Sequence, residues 1–185
     1  HVNRILEPYG FHTVIVTGTH WRNFLALRCS RNAQPEAQDF GLAIAKAMQA
    51  SASKELDTEG WHLPYVQEED LREITDPETL AKISAGRCAR VSYLTQDGRR
   101  SLDADITMCR RLLEGGHMSP FEHQARPRRF NEPSGVSGNL HPPWAQHRKL
   151  LPSENDFSRL ISSSELTEGC RGDNSLAKFI LSLTS

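Results

Sequence analysis

Gly116-His-Met-Ser-Pro-Phe-Glu-His123 follows a run in which Leu102, Ile106, Cys109 and Leu113 fall on one helical face, with Gly115 and Gly116 supplying the stop. The octet therefore begins at a helix end, where two imidazoles, a hydroxyl and a carboxylate gather without any demand from core periodicity. A second stretch, Asn23-Phe-Leu-Ala-Leu-Arg28 running into Ala33-Gln-Pro-Glu36, puts an amide and a guanidinium at the margins of another apolar helix. Both stretches place chemically capable side chains beside helix ends.

Outward from these, Phe11 to Thr17 alternates apolar and β-branched residues and predicts a strand entered from a Tyr9-Gly10 turn. A helix should follow, capped by Thr19, with Trp21, Phe24, Leu25 and Leu27 facing the core. Pro35 opens a second helix through about Ala50, whose Phe40, Ile44 and Met48 repeat every four residues and are expected in the core. Residues 51–67 read as a connection held down by Trp61 and Tyr65. Asp76, as N-cap to Pro77, restarts a helix that carries Ala85 to Tyr93, and Gln96-Asp-Gly98 turns the chain into the helix of Leu102 to Leu113. Residues 127–143 are rich in Gly, Pro, Asn and Ser and read as a loop able to close over a ligand, after which Trp144-Ala-Gln-His-Arg-Lys149 resumes a pattern. The expected architecture is an α+β domain over 1–152, with helices on a mainly antiparallel sheet, followed by a mobile Ser-rich tail over 153–185.

A chain of 185 residues can bury about 70% of the surface its unfolded form exposes, enough for one real core. The formal charge of -1 removes any global attraction to nucleic acid, leaving Arg126-Pro-Arg-Arg129 and Arg148-Lys149 as local basic spots, solvated or phosphate-binding. The four cysteines form no C-x-x-C pair, so neither a disulfide scaffold nor a zinc site is indicated, and a reducing, cytoplasmic setting is expected. His117 and His123 stand six positions apart. That is neither a helical i,i+4 pair nor a finger spacing, so no metal is expected there. No signal peptide or long apolar run is present, and no membrane insertion is expected.

The two stretches together resemble the flavin-dependent thymidylate synthases, over about residues 3–151. The resemblance implies methylation of deoxyuridine monophosphate (dUMP) to dTMP, with methylenetetrahydrofolate as carbon donor, NADPH as reductant, FAD as cofactor, and a homotetramer with shared active sites. Asn3-Arg-Ile-Leu-Glu-Pro8 resembles the segment whose arginine, here Arg4, binds the dUMP phosphate. By the same resemblance Asn23 contacts the flavin and Arg28 lies against the uracil ring, where a fixed cation favours the ionised imide. A surface asparagine and an arginine complementing a helix dipole remain the plain alternative for that pair. Ser119 and Glu122 fall in the flavin neighbourhood, with His117 and His123 shaping the site. Ala89-Arg-Val-Ser-Tyr93 resembles the helix whose serine, here Ser92, lies near the flavin, and Gln146 and Arg148 match a segment lining the nucleotide site.

Two departures accompany the resemblance. The G-H-x-S-P-F-E-H segment follows the N-F-x-x-L-R segment, as in a permuted, phage-like branch, and the signature R-H-R-x-x-S is represented only by His147-Arg148. Since the chain starts at His1, the signature is expected upstream, and the chain alone is expected to bind flavin weakly and to be inactive. Two other readings stay open: a related flavin-dependent pyrimidine hydroxymethylase, and a non-catalytic flavin- or nucleotide-binding or oligomerisation module.

Overall fold

The computed structural model describes residues 10–91, 101–152, 154, 168–170 and 172–182. Helices dominate, in the order α1 (Arg22–Arg28), α2 (Pro35–Ala50), α3 (Glu68–Glu73), α4 (Pro77–Arg90), α5 (Leu102–Glu114), α6 (His147–Leu150) and α7 (Asn174–Ser182). Strands β1 (Ala125–Pro127) and β2 (Trp144–Gln146) pair antiparallel, Arg126 opposite Ala145. The architecture is thus an α-rich member of the general α+β class, its sheet limited to two short strands among the described residues.

The centre is the α4–α5 pair. Asp76 caps α4 as its sequence predicts, accepting from the Thr79 amide at 2.9 Å, and Pro77 occupies the first turn. Leu80, Ala81, Ile83, Ser84, Ala85, Gly86 and Cys88 form its buried face. At Gly86 the backbones meet, because a Cβ there would lie 3.1 Å from the Asp105 carbonyl carbon. α5 ends as expected at Gly115, and Gly116 turns the chain with φ 64°. The His117 amide donates to Leu112 O at 2.8 Å and the Gly116 amide to Leu113 O at 3.2 Å, a Schellman closure. That closure drops Met118 and Phe121 into a core with Ala85 and Cys109.

A buried ionic cluster ties the connection to this pair. Arg87 grips Asp70 with two nitrogens, at 2.5 and 3.1 Å, donates from Nε to Asp105 at 2.7 Å, and reaches Tyr65 O at 2.7 Å. Arg90 pairs with the other oxygen of Asp105. Asp70 also closes a capping box on α3, accepting from the Gln67 amide at 2.8 Å.

Several expectations fail at the N-terminal side. Phe11 to Thr17 is mostly exposed chain, with Ile15 and Thr17 half-buried, and not a strand, because no described strand lies alongside to take its backbone hydrogen bonds. Thr19 does not cap α1; its hydroxyl accepts from the His141 amide at 3.1 Å, and Trp21 stands at the N-cap with no capping bond, its indole N–H donating instead to Gly18 O at 2.9 Å. α2 spans Pro35–Ala50 as expected, yet Leu27, Phe40 and Met48 are exposed, since α1 and α2 pack chiefly on each other and leave that face uncovered. Tyr65 is exposed as well, with φ 63°, and it is its carbonyl that holds to the body. Trp61 does pack down, edge-on to His147. Among the described residues, no helix is long and apolar enough to cross a membrane.

Candidate functional site

The turn after α5 builds the site. Phe121, fully buried, anchors a 3-10 turn over Ser119–Glu122, which leaves Ser119 exposed and Glu122 and His123 half-buried on its flanks. His123 Nδ1 and the Thr17 hydroxyl share a hydrogen bond of 3.1 Å, drawing residues 13–17 over this turn. Thr13, Val14 and Ile15 on one side, Cys88, Ala89 and Val91 of the α4 end, and Ser119, Pro120 and His123 enclose a cleft of about 260 Å³. Burial lowers the His123 pKa, with Glu122 opposing and His62 reinforcing; burial likewise lowers that of His62. Both imidazoles are therefore neutral at pH 7 and can donate and accept at once.

Beside the cleft lies a polar seam. Arg148 pairs with Glu122 and donates from Nε to Glu154 at 3.0 Å, and Lys149 meets the same Glu154 oxygen at 2.5 Å. Gln146, buried, donates to Glu122 O at 3.1 Å and to Asn139. Gly138, with φ 57°, sits where a Cβ would strike the Gln146 amide oxygen. These bonds join Gln146, Arg148 and Glu122 into one unit, Ser119 and His123 lie at the cleft, and His117 stands exposed with its ring beside Gly115.

Asn23 and Arg28 are not at this cleft. Both are exposed on α1, and neither side chain makes a hydrogen bond or ion pair among the described residues. The end of α1 is fixed instead by Gln38, which donates to Ser30 O at 3.1 Å, and by Gly41, where a Cβ would lie 2.8 Å from that of Arg28. Arg4 and Ser92 lie outside the described residues. The expected solvated or phosphate-binding role of Arg126 is corrected: it is buried, bonded to Glu132, and lies over Trp61 at 5.8 Å. The loop over residues 127–143 is pinned by that pair, by Arg128 N to Pro143 O at 2.6 Å and by Ser137 Oγ to Trp144 O at 2.7 Å, which does not suit a hinged lid.

The cleft tests the fit of a flavin. Its volume is just under the range of about 300–1,000 Å³ that takes a whole small ligand, so it suits a planar ring and leaves a dinucleotide tail outside. Ser119 and His123 supply polar contacts at its edge. Burial raises the Cys88 and Cys109 thiols to about 11, which keeps Cys88 protonated in the cleft wall and unfit as a nucleophile at neutral pH.

Sequence reasoning missed Asp70, Arg87 and Asp105, the buried Gln124, and His147. Only the Gln67-x-x-Asp70 capping pattern, ahead of Leu71, offered a signal. Gln124 bonds Ser84 at 3.2 Å and Cys88 at 3.5 Å within the wall behind the cleft. A comparison of the chain with family models, curated proteins and solved structures returns no match.

Proposed function

We propose that the chain serves flavin-dependent methylation of dUMP to dTMP, with methylenetetrahydrofolate and NADPH as co-substrates and FAD as cofactor, in a fold of the flavin-dependent thymidylate synthase type. The observation that carries this reading is convergence at one cleft. The segment before N-F-x-x-L-R (Thr13 to Ile15), the A-R-x-S-Y helix (Ala89) and the G-H-x-S-P-F-E-H turn (Ser119, His123) all line it. Two separately resembling segments, together with the chain that precedes N-F-x-x-L-R, meet at one place, which favours a shared ligand over unrelated coincidences.

In this reading Ser119 and the neutral His123 orient a flavin ring in the cleft, and Glu122, held by Arg148, fixes the position of Gln146 at the nucleotide side. When bound and reduced, the flavin supplies the hydride that completes the methyl group. Arg28 holds the pyrimidine imide in its ionised form by placing a planar cation beside it. Since Arg28 and Asn23 stand apart from the cleft on the chain's own α1, they serve the cleft of a second copy, within a homotetramer. The same exposure also favours a second reading, a flavin- or nucleotide-binding module without turnover.

Tritium release from 5-tritiated dUMP, together with the visible absorbance of bound flavin, tests the proposal on this chain and on a version extended upstream of His1. Release by the extended version supports methylation. Flavin binding without release selects the module, and neither flavin nor release from either version refutes both.

A further inference from the structure

We propose that the cavity between Trp61, His147 and the Leu150–Pro152 turn is a second binding site, taking a small planar aromatic acid. It measures about 620 Å³, inside the range of ligand pockets, and shares no lining residue with the cleft at Ser119. Trp61, Pro77, Leu150, Leu151 and Pro152 give it apolar walls suited to a flat ring.

His147 supplies its polar feature. The residue is only 6% exposed, and its Nδ1 is buried with no hydrogen-bond partner. The neighbouring rings of Trp61 and Phe121, with centroids at 5.7 and 5.6 Å, meet it edge-on. Buried polar nitrogens are nearly always bonded; Nδ1 is sealed from water, so the imidazole meets the cavity through the rest of its ring. Burial, and then the field of Lys82, hold its pKa down at about 4, so at neutral pH it offers one donor and one acceptor.

The rim decides the charge of the ligand. Arg126 is committed to Glu132, Arg129 pairs with Glu59 at 3.4 Å, and Asp76 is occupied capping α4. Glu78 and Lys82, one helical turn apart, are not ion-paired with each other or with any other described residue. Lys82 lines the cavity unpaired, and its charge acts on both His147 and Asp76, so a ligand carboxylate beside the imidazole finds a cation there.

The test is a nuclear magnetic resonance titration of the whole chain with 2-naphthoate, and with the cation 2-naphthylmethylammonium for comparison. The expected result is saturable movement of the Trp61 indole N–H and the His147 ring signals by the anion, with the cation binding about tenfold more weakly. Lys82→Met weakens naphthoate by about threefold, the scale of an exposed ion pair. Leu150→Trp, which fills the cavity, abolishes the response while the helical circular dichroism is retained. Equal binding of the cation, signals that move elsewhere but not at Trp61 and His147, an affinity unchanged by Lys82→Met, or no saturable binding by the folded chain overturns the proposal.

Discussion

Replacing Arg87 with methionine is expected to destabilise the chain more than any surface change, and the size of the effect follows from what the guanidinium touches. Asp70 and Asp105 are 0% and 1% exposed, and Arg87 bonds both. Removing one partner of a buried ion pair costs about 3–5 kcal/mol, because the remaining charge is left without compensation. Two carboxylates are affected, yet neither is stripped bare: Asp70 keeps the Gln67 amide and Asp105 keeps Arg90. The loss of the bond to Tyr65 O adds roughly 1 kcal/mol. A total of about 4 kcal/mol is expected, which for a chain of this length lowers Tm by about 8–16 °C. Urea unfolding followed by helical circular dichroism measures it as a shift in midpoint at constant slope. The double variant Arg87→Met, Asp70→Leu should recover part of the loss, since the orphaned charge goes with its partner. A single variant within about 1 kcal/mol of the parent, or strictly additive effects in the double, refutes the reasoning.

His147→Phe should remove an acid dependence. Burial depresses the imidazole from 6.5 to about 4, so the folded state resists a proton that the unfolded chain accepts, and stability falls as pH drops from about 6.5 towards about 4. The variant flattens the urea midpoint across that window, and an unchanged slope refutes the assignment. Glu132→Gln acts lower: hydrogen bonding from Arg126 holds the carboxyl at about 2 rather than 4.5, so its contribution is present above pH 4.5 and lost towards pH 2. The variant should be the less stable at neutral pH and converge with the parent near pH 2, as thermal melts across that range will show. Arg28→Lys keeps the charge but loses the paired planar donors, so in the extended version that turns over dUMP the rate is expected to fall about a hundredfold, near 3 kcal/mol of transition-state stabilisation. Unchanged turnover removes Arg28 from the chemistry.

What could be read from the sequence was what neighbouring residues decide. Asp76-Pro77, Pro35 and Gly115-Gly116 mark helix ends through bonds made within a turn or two, and all three mark them in the fold. Alternation in Phe11 to Thr17 signals a strand only where another strand is present to pair, which no local pattern can report. The four-residue repeat of Phe40, Ile44 and Met48 identified a helix face correctly but said nothing of what covers it. Buried charge was the least legible. Asp105 occupies the inner side of α5 beside Cys109, and only the arrival of Arg87 and Arg90 from the facing helix makes a carboxylate tolerable there. In the candidate site, Ser119, Glu122 and His123 were legible from one contiguous segment, whereas the bonds from Gln146 and Arg148 to Glu122 depend on the β1–β2 pairing that brings those segments together.

The hydroxyls of Thr17 and Thr19 give the molecule two tiers of cooperativity. The contacts of residues 10–21 with the body include Thr17 on His123, Thr19 on the His141 amide, and the His20 ring against that of His141, at 3.9 Å. Each neutral bond contributes about 1 kcal/mol net, far less than is needed to separate α4 from α5 across their buried ionic cluster. The α1–α2 hairpin, with Gly41 its one buried residue, is therefore a separate foldon, able to lift away and return many times for each global unfolding of the chain. Proton exchange at its amides then reports this local opening, while exchange in α4 reports the stability of the whole.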